Sequence, residues 1–266
     1  MKQKKISGGL RKRGILKKDK KNLPLISVIT VVLNNKKFLQ QSINSVLNQS
    51  YKNYELIIVD NGSEFITQKW VEENSDRSVI FDKNHGFSKG FNEGIKVAKG
   101  EYIMMANNDT EFPPGWDIKL VESLEKYPKV GIVSPVYTNG RRIAQRNEPG
   151  IKLIKVGRFK RGPSGVAYFM RRNEMIDVFG KWCEDYNIAS GEDADLCMTV
   201  WSKNYDILID ERVLIKHKGK VTSRSKLIDW KILYSKNGKQ YRKKWFYQHY
   251  FPYLARITQK IGLFKI

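Results

Sequence analysis

Cysteine is nearly absent: Cys183 and Cys197 are the only two in 266 residues, and neither belongs to a C-x-x-C pair. That argues against a disulfide framework and a thiolate zinc site, and it predicts reduced thiols in a cytosolic setting. No run of 18 apolar residues occurs, so no segment is expected to span a membrane. The basic N-terminus lacks the apolar stretch of a signal peptide. No G-x-G-x-x-G follows the first apolar run, so the usual dinucleotide fingerprint is missing. Acid is scarce at both ends. Residues 1–21 hold ten Lys/Arg against Asp19 alone, and 212–266 hold fifteen against Asp229 alone. These ends carry +9 and +14 of the formal +22, which leaves 22–211 at −1. The excess charge sits in two arms around a neutral core. Such arms fit an anionic lipid surface or nucleic acid, or they serve solubility alone.

What is present is a core. Hydrophobic residues make up 41% of the chain, enough for one large domain or two small ones. Leu25 to Leu33 is a continuous β-branched run, the pattern of a strand buried on both faces, and Asn34-Asn35 breaks it. Helical spacing follows over 38–47. A second buried strand over 54–59 ends at Asp60-Asn61-Gly62-Ser63. A helix over 65–73, a strand over 78–81 and a helix over 86–98 come next. The spacing of Gly86, Gly90 and Gly94 in a polar context predicts close helix–strand packing, not membrane helix pairing. Further on, the pattern predicts a surface helix over 116–125 and a strand over 130–136. An irregular polar loop over 138–161, a strand over 165–170 and a helix over 192–201 follow. Two short strands over 205–209 and 213–216 lead to His217. Strands and helices alternating in this way predict an α/β fold with a mixed, mainly parallel central sheet flanked by helices. The expected organisation is a flexible basic arm over 1–23, a domain over 24–228 and a basic, aromatic helical extension over 229–266.

The chain is organised around Lys99 to Glu111. A short buried strand, Glu101 to Ala106, runs directly into Asn107-Asn108-Asp109. Open α/β sheets bind ligands at the carboxyl ends of their strands. An oxygen-only cluster there suits a hard cation and the phosphates it holds. An ordinary Asn/Asp turn has the same sequence pattern.

Taken together, ISVITVVLNN (26–35), VDNGS (59–63), NHGFSKGFNEG (84–94), MANNDT (105–110), GEDADLC (191–197) and KHKGKVTS (216–223) resemble the glycosyltransferases of family 2, which have the Rossmann-like GT-A fold. NGKQYRKKW (237–245) is similar to that family's C-terminal end, so the likeness spans roughly 25–245. The asparagine-rich 84–94 segment and the N-x-D form of the central motif look most like the rhamnosyltransferase-type branch. The resemblance implies transfer of a sugar from a UDP-, dTDP- or GDP-linked donor to a hydroxyl of a glycan or lipid-linked acceptor, with inversion at the anomeric carbon. It places Asp60, Asn84, Gly86, Asn92, Asn107 and Asn108 at the nucleotide sugar, although Asp60 and Asn61 also make sense as a plain turn. Asp109 and His217, with Asn107 as a neutral oxygen ligand, would hold Mn2+ or Mg2+. A histidine ligand favours Mn2+. Asp193 is the implied general base, with Glu192 beside it and Asp195 in a structural role. Carboxylate crowding raises the pKa values of such a cluster, while the helix N-terminus lowers them. Two departures stand out. Val32-Leu33 occupy the place where relatives carry Thr-Tyr, so a base-stacking aromatic is missing. Asn107 replaces the first aspartate of the commoner D-x-D pattern, which removes one charge from the metal site.

The last stretch interleaves bases and aromatics. After Pro252, Leu254, Ile257, Ile261 and Phe264 share one helical face, as in an interfacial amphipathic helix. This fits a cytoplasmic protein, peripheral on the inner face of the cell membrane, that uses lipid-linked acceptors. Packing on the catalytic domain or on a second subunit, or binding of single-stranded nucleic acid, fits the same pattern. Two other functions remain open: glycosylation of hydroxylated nucleic-acid bases, and a non-catalytic sugar-nucleotide- or glycan-binding module. The oligomeric state has no signature in the sequence.

Overall fold

The computed structural model describes residues 25–48, 53–138, 150–154, 162–186, 190–219 and 230–246. The basic arm over 1–23, the amphipathic stretch after Pro252 and most of the expected 138–161 loop lie outside the described residues.

Four parallel strands form one half of a single sheet. They are β1 (Ile26–Val32), β2 (Tyr54–Asp60), β3 (Arg77–Ile80) and β4 (Tyr102–Asn107), in the order β3-β2-β1-β4. The crossovers are α1 (Lys36–Leu47), α2 (Phe65–Asn74) and α3 (Phe87–Val97). Successive β4 residues alternate between two cores. Met104 and Ala106 pack with Leu39, Ile43, Leu56 and Trp116 on one face. Ile103 and Met105 pack with Ile57, Phe91, Ile95 and Tyr168 on the other. Burial on both faces explains why these strands read as unbroken apolar runs.

The second half is mixed. Strand β5 (Thr110–Glu111) follows β4, and α4 (Trp116–Lys126) leads to β6 (Val130–Thr138). Strands β7 (Ile151–Ile154), β8 (Ala167–Arg171) and β9 (Asp206–His217) complete the sheet, with α5 (Glu192–Ser202) between β8 and β9. The sheet continues from β4 through β8, β6 and β9 to β5, and β7 pairs with β9. β8 runs antiparallel to β4 and β6, whereas β6 and β9 are parallel.

Two expectations need correction, and one element is new. The two short strands expected over 205–209 and 213–216 are one bulged strand. Its pairing with β6 steps from Pro135↔Asp210 to Val136↔Leu214. Buried Asp210 pins the bulge by accepting from Arg212 N (3.0 Å), Arg212 Nε (2.9 Å) and Ser123 Oγ (2.7 Å). The 138–161 stretch is not irregular throughout, because β7 adds to the edge of β9. A π-helical turn over Glu174–Phe179 was not expected; it is held by the Arg171–Glu174 ion pair and buries Met175 and Phe179.

The glycine spacing in α3 has the anticipated cause. A Cβ on Gly90 would stand 2.7 Å from Val31 Cγ1, and one on Gly94 would stand 2.5 Å from Ile29 Cγ2. The helix therefore lies directly on β1, which keeps its N-terminus beside the carboxyl ends of the strands. Helix α6 (Trp230–Lys244) joins the same core: Tyr241 and Trp245 are buried with Met105, Tyr168 and Cys197. Gly94→Ala should destabilise the fold by about 1–3 kcal/mol through overpacking against β1, measured by urea unfolding.

Candidate active site

The parallel strands end together, and their polar residues gather there. Asp60, which closes β2, is fully buried. Its Oδ1 accepts from Gly62 N (3.1 Å) and Ser63 N (2.8 Å), while Oδ2 has no partner among the described residues. One oxygen makes the turn expected of Asp60, and the other is left unpartnered among the described residues. Burial raises the Asp60 carboxyl above its usual range, against the lowering effect of the Ser63 and Gly62 donors. At the end of β1, Asn34 and Asn35 both adopt left-handed backbone, and Asn34 N donates to Ser63 Oγ at 2.7 Å. Leu33, at the expected aromatic position, is half-buried, and Val32 before it is a fully buried core residue.

Three expected nucleotide contacts have their side chains engaged by the protein. Asn84 Oδ1 accepts from Asn61 Nδ2 (2.9 Å) and Gly86 N (2.8 Å), which shapes the entry to α3 at Gly86. Asn108 Nδ2 donates to Val31 O at 3.1 Å, tying β4 to β1. Asn92 is the most fully engaged of the three. Its amide donates to Trp182 O (3.0 Å) and Glu184 Oε1 (2.7 Å) and accepts from Trp182 N (2.9 Å). Both of its donors are used, so it holds the 182–184 loop and has none left for a nucleotide.

The residues expected around a metal do converge. Strand β5 pairs Thr110 with His217, which sets the end of β9 beside the β4 turn. His217 Nε2 lies 3.1 Å from Asp109 Oδ1 and 3.5 Å from Asn107 Nδ2. A half-turn of that amide presents oxygen at the same place. Asp109 is 7% exposed, and its Oδ2 accepts from Gly219 N at 2.9 Å. The Tyr137 ring packs edge-on against the imidazole at 5.5 Å. Adjacent ligands of a six-coordinate ion with bonds of about 2.1 Å stand about 3 Å apart, so the Asp109–His217 separation fits a divalent cation. One carboxylate, one imidazole and one amide would leave further coordination positions of such an ion open.

The acidic cluster divides its roles. Asp193 Oδ1 accepts from Ala194 N (2.7 Å) and Oδ2 from Gly165 N (3.2 Å). A Cβ on Gly165 would lie 2.9 Å from Asp193 Cβ, so this approach requires glycine. The next residue, Val166, accepts at its carbonyl from Asn107 N at 2.9 Å. Two residues leading into β8 therefore link the proposed base to the β4 turn. Asp193 also lines a cavity of about 400 Å³ with Gly162, Ser164, Gly191, Tyr234 and Arg242. Glu192 is buried instead. Burial, and then the Asp193 charge, push its carboxyl up to about 8. Glu192 is therefore neutral at pH 7, and Asp193 is the carboxylate with access to the cavity.

Asp195 ties α5 to α6. It is 2% exposed and accepts from Trp245 Nε1 (2.7 Å), Tyr186 OH (2.9 Å) and Lys244 Nζ (2.9 Å). The sequence assigns Asp195 only a structural role without partners and does not single out Trp182, whose indole donates to Met105 Sδ at 3.1 Å. The G-P-S-G turn over 162–165 was the available signal for the wall beside Asp193.

A mixed sheet with ligand-type groups at the ends of its parallel strands, and a carboxylate brought in from the antiparallel side, defines a GT-A-like α/β fold. Solved structures share it. A Pyrobaculum calidifontis mannosyltransferase in complex with GDP-Man and Mn2+ aligns at TM-score 0.60 and 17% identity, covering 96% of this chain and 80% of that one. Staphylococcus aureus TarS in complex with UDP-GlcNAc aligns at 0.62 and 18%, covering 82% and 66%. The sequence profile described as "Glycosyl transferase family 2" matches residues 27–179, and the chain belongs to that family. An uncharacterized glycosyltransferase of Haemophilus influenzae is 36% identical over 110 residues, covering 40% of this chain and 34% of the relative. A poly-beta-1,6-N-acetyl-D-glucosamine synthase of Staphylococcus epidermidis is 27% identical over 215 residues, covering 75% and 51%. The chain thus spans from about a third to about half of the length of these two curated relatives.

Two substitutions test this arrangement. Glu192 keeps in the folded state a proton that it releases above about pH 4.5 when unfolded. Its contribution to stability is full below that pH and is lost as pH rises through about 8. Glu192→Gln should therefore raise the melting temperature at pH 8–9 relative to the parent and change it little near pH 4, read by thermal denaturation across that range. Asp195→Asn breaks the Lys244 pair and should cost roughly 2–3 kcal/mol, with a loss of Trp245 fluorescence burial that urea titration can follow.

Proposed function

We propose that this chain transfers a sugar from a nucleotide-diphosphate donor to an acceptor hydroxyl, with inversion at the anomeric carbon. The observation that carries the reading is the meeting of Asp109, His217 and Asn107 one strand away from Asp193. One group can hold the leaving diphosphate while the other removes a proton from the acceptor. Asp60 Oδ2 is a carboxylate acceptor at the end of β2 and matches the ring N–H of uracil, thymine or guanine. This supports UDP-, dTDP- or GDP-linked donors, and the co-crystallised nucleotides of the structural neighbours are of that type.

Asp109, His217 and the Asn107 oxygen would hold Mn2+, or else Mg2+. The ion would supply positive charge to the diphosphate as it leaves. The protein's own part is geometric and acid–base. Gly219 N fixes one Asp109 oxygen and leaves the other facing His217. Gly165 N and Ala194 N hold the Asp193 carboxylate from two sides. Neutral Glu192 adds no second negative charge beside Asp193. A hydroxyl entering the cavity gives its proton to Asp193 as its oxygen attacks the anomeric carbon from the face opposite the diphosphate. Attack from that face inverts the centre.

The N-x-D motif and the 84–94 segment support a rhamnosyltransferase-like donor preference within the family. A glycan or lipid-linked acceptor and a peripheral position on the inner face of the membrane are supported by the basic ends. No helix of the described residues is long and apolar enough to cross a membrane.

Donor turnover with added Mn2+ across UDP-, dTDP- and GDP-sugars tests the proposal. Asp193→Asn should lower kcat by about 10²–10⁴-fold with donor binding retained. Asp109→Asn and His217→Ala should each weaken metal-dependent donor binding at least ~10-fold, a loss of about 1.4 kcal/mol. EDTA should abolish that binding in the parent, and Mn2+ should restore it. Full turnover by Asp193→Asn would remove the assignment of the base.

A further inference from the structure

The cavity beside Asp193 has a cationic wall that the reaction described above does not use. Arg242 lines it together with Tyr234 from the same helix. The guanidinium makes no ion pair among the described residues, although Arg212, Arg171 and Arg77 all do. Helix α6 carries six Lys/Arg and no acidic residue over Trp230–Lys244. Among the described side chains, Lys244 is the one tied inward, to Asp195. That tie and the buried Tyr241 and Trp245 fix the helix in register, so Arg242 holds its place on the rim. About 400 Å³ is room for a ligand group of small-molecule size.

We infer that this cavity receives an acceptor bearing a phosphate group, with Arg242 reading the phosphate next to the hydroxyl that Asp193 deprotonates. The guanidinium fork matches a phosphate with two parallel hydrogen bonds. A neutral sugar hydroxyl needs no unpaired guanidinium and no basic helix. A phosphate, in contrast, would be repelled by the Asp193 carboxylate unless a cation stood across the cavity from it. Arg242 lines a different place from the Asp109–His217 pair, so it is assigned to the acceptor and not to the donor's diphosphate. A soluble phosphorylated polyol and a phospholipid headgroup offer the same chemistry.

The inference rests on the glycosyltransferase reading for the role of Asp193, but its test reads binding. Calorimetric titration of the full chain with sn-glycerol 3-phosphate should show saturable binding that glycerol lacks. Arg242→Gln should weaken it at least tenfold and Arg242→Lys should restore part of it, with UDP affinity in the presence of Mn2+ unchanged in both. Co-sedimentation with phosphatidylglycerol vesicles separates the sources: an Arg242-dependent loss there assigns a lipid-borne phosphate, and a loss confined to glycerol phosphate assigns a soluble one. Equal binding of glycerol and glycerol phosphate overturns the proposal. So does a parallel loss of UDP affinity in Arg242→Gln, which would give the guanidinium to the donor. Absence of sugar transfer with intact, Arg242-dependent phosphate binding would refute the catalytic reading and leave the phosphate site standing.

Discussion

The structure depends on one constraint: β1, β2 and β4 are covered on both faces. Apart from Ser27, Thr30, Glu55 and the phenols of Tyr54 and Tyr102, no polar side chain has a place within these strands before their carboxyl ends. Ser27 and Glu55 satisfy each other at 2.7 Å near the opposite, amino end of the sheet. Everything chemical is therefore pushed to the residues just after the strands, where the backbone leaves the sheet and can be solvated or can hold a ligand. Asp60, Asn34 and Asn107 to Asp109 are neighbours because β1 pairs in parallel with both β2 and β4. Buried pairing of this kind fixes register, since a slip of one residue would turn each apolar side chain to the wrong face.

The antiparallel half completes the site from the other side. β8 enters the sheet where β4 leaves it, so the residues before β8 stand beside the β4 turn. Gly165 and Val166 occupy that position, one bonded to Asp193 and the other to Asn107. β9 arrives through its bulge, with Arg212 and Asp210 taking up the extra residues. Only then does His217 come opposite Thr110. A bulge of different length would turn His217 away from Asp109, so the Arg212–Asp210–Ser123 cluster positions the metal-type pair from a distance without touching it.

Much of this was legible in the chain. Strand and helix positions follow from the apolar runs and their breaks, and the α3 glycines announced a close helix–strand contact. Asp109, His217 and Asn107 were anticipated as a group by motif order, and the structure brings them together. The asparagines were less legible. Asn84, Asn92 and Asn108 look like ligand contacts in sequence, yet their amides satisfy buried backbone and side-chain groups of the protein. A primary amide carries two donors and an acceptor at modest size, which suits it equally to a nucleotide and to a loop carbonyl. Periodicity does not distinguish these uses, because the partner Trp182 lies 90 residues from Asn92. For the same reason the sequence did not reveal the Asp195 cluster, whose three donors come from the loop before α5, the last residue of α6 and Trp245 just after it.

That cluster decides how far the functional fold extends. An acid in the first turn of a helix is adequately explained by capping and the helix dipole. A carboxylate 2% exposed, holding an indole, a phenol and an ammonium, is a larger commitment. Removing it from water is favourable only while those donors are present. Burial of Asp195 thus depends on docking of α6, and docking of α6 supplies the Tyr234 and Arg242 wall of the cavity that Asp193 faces. The acid two residues before Asp195 is the proposed base. The spacing within E-D-A-D joins the chemistry and the C-terminal helix in one turn of α5, so a chain that lost its residues after 229 would lose the shape of its active cavity along with its basic charge.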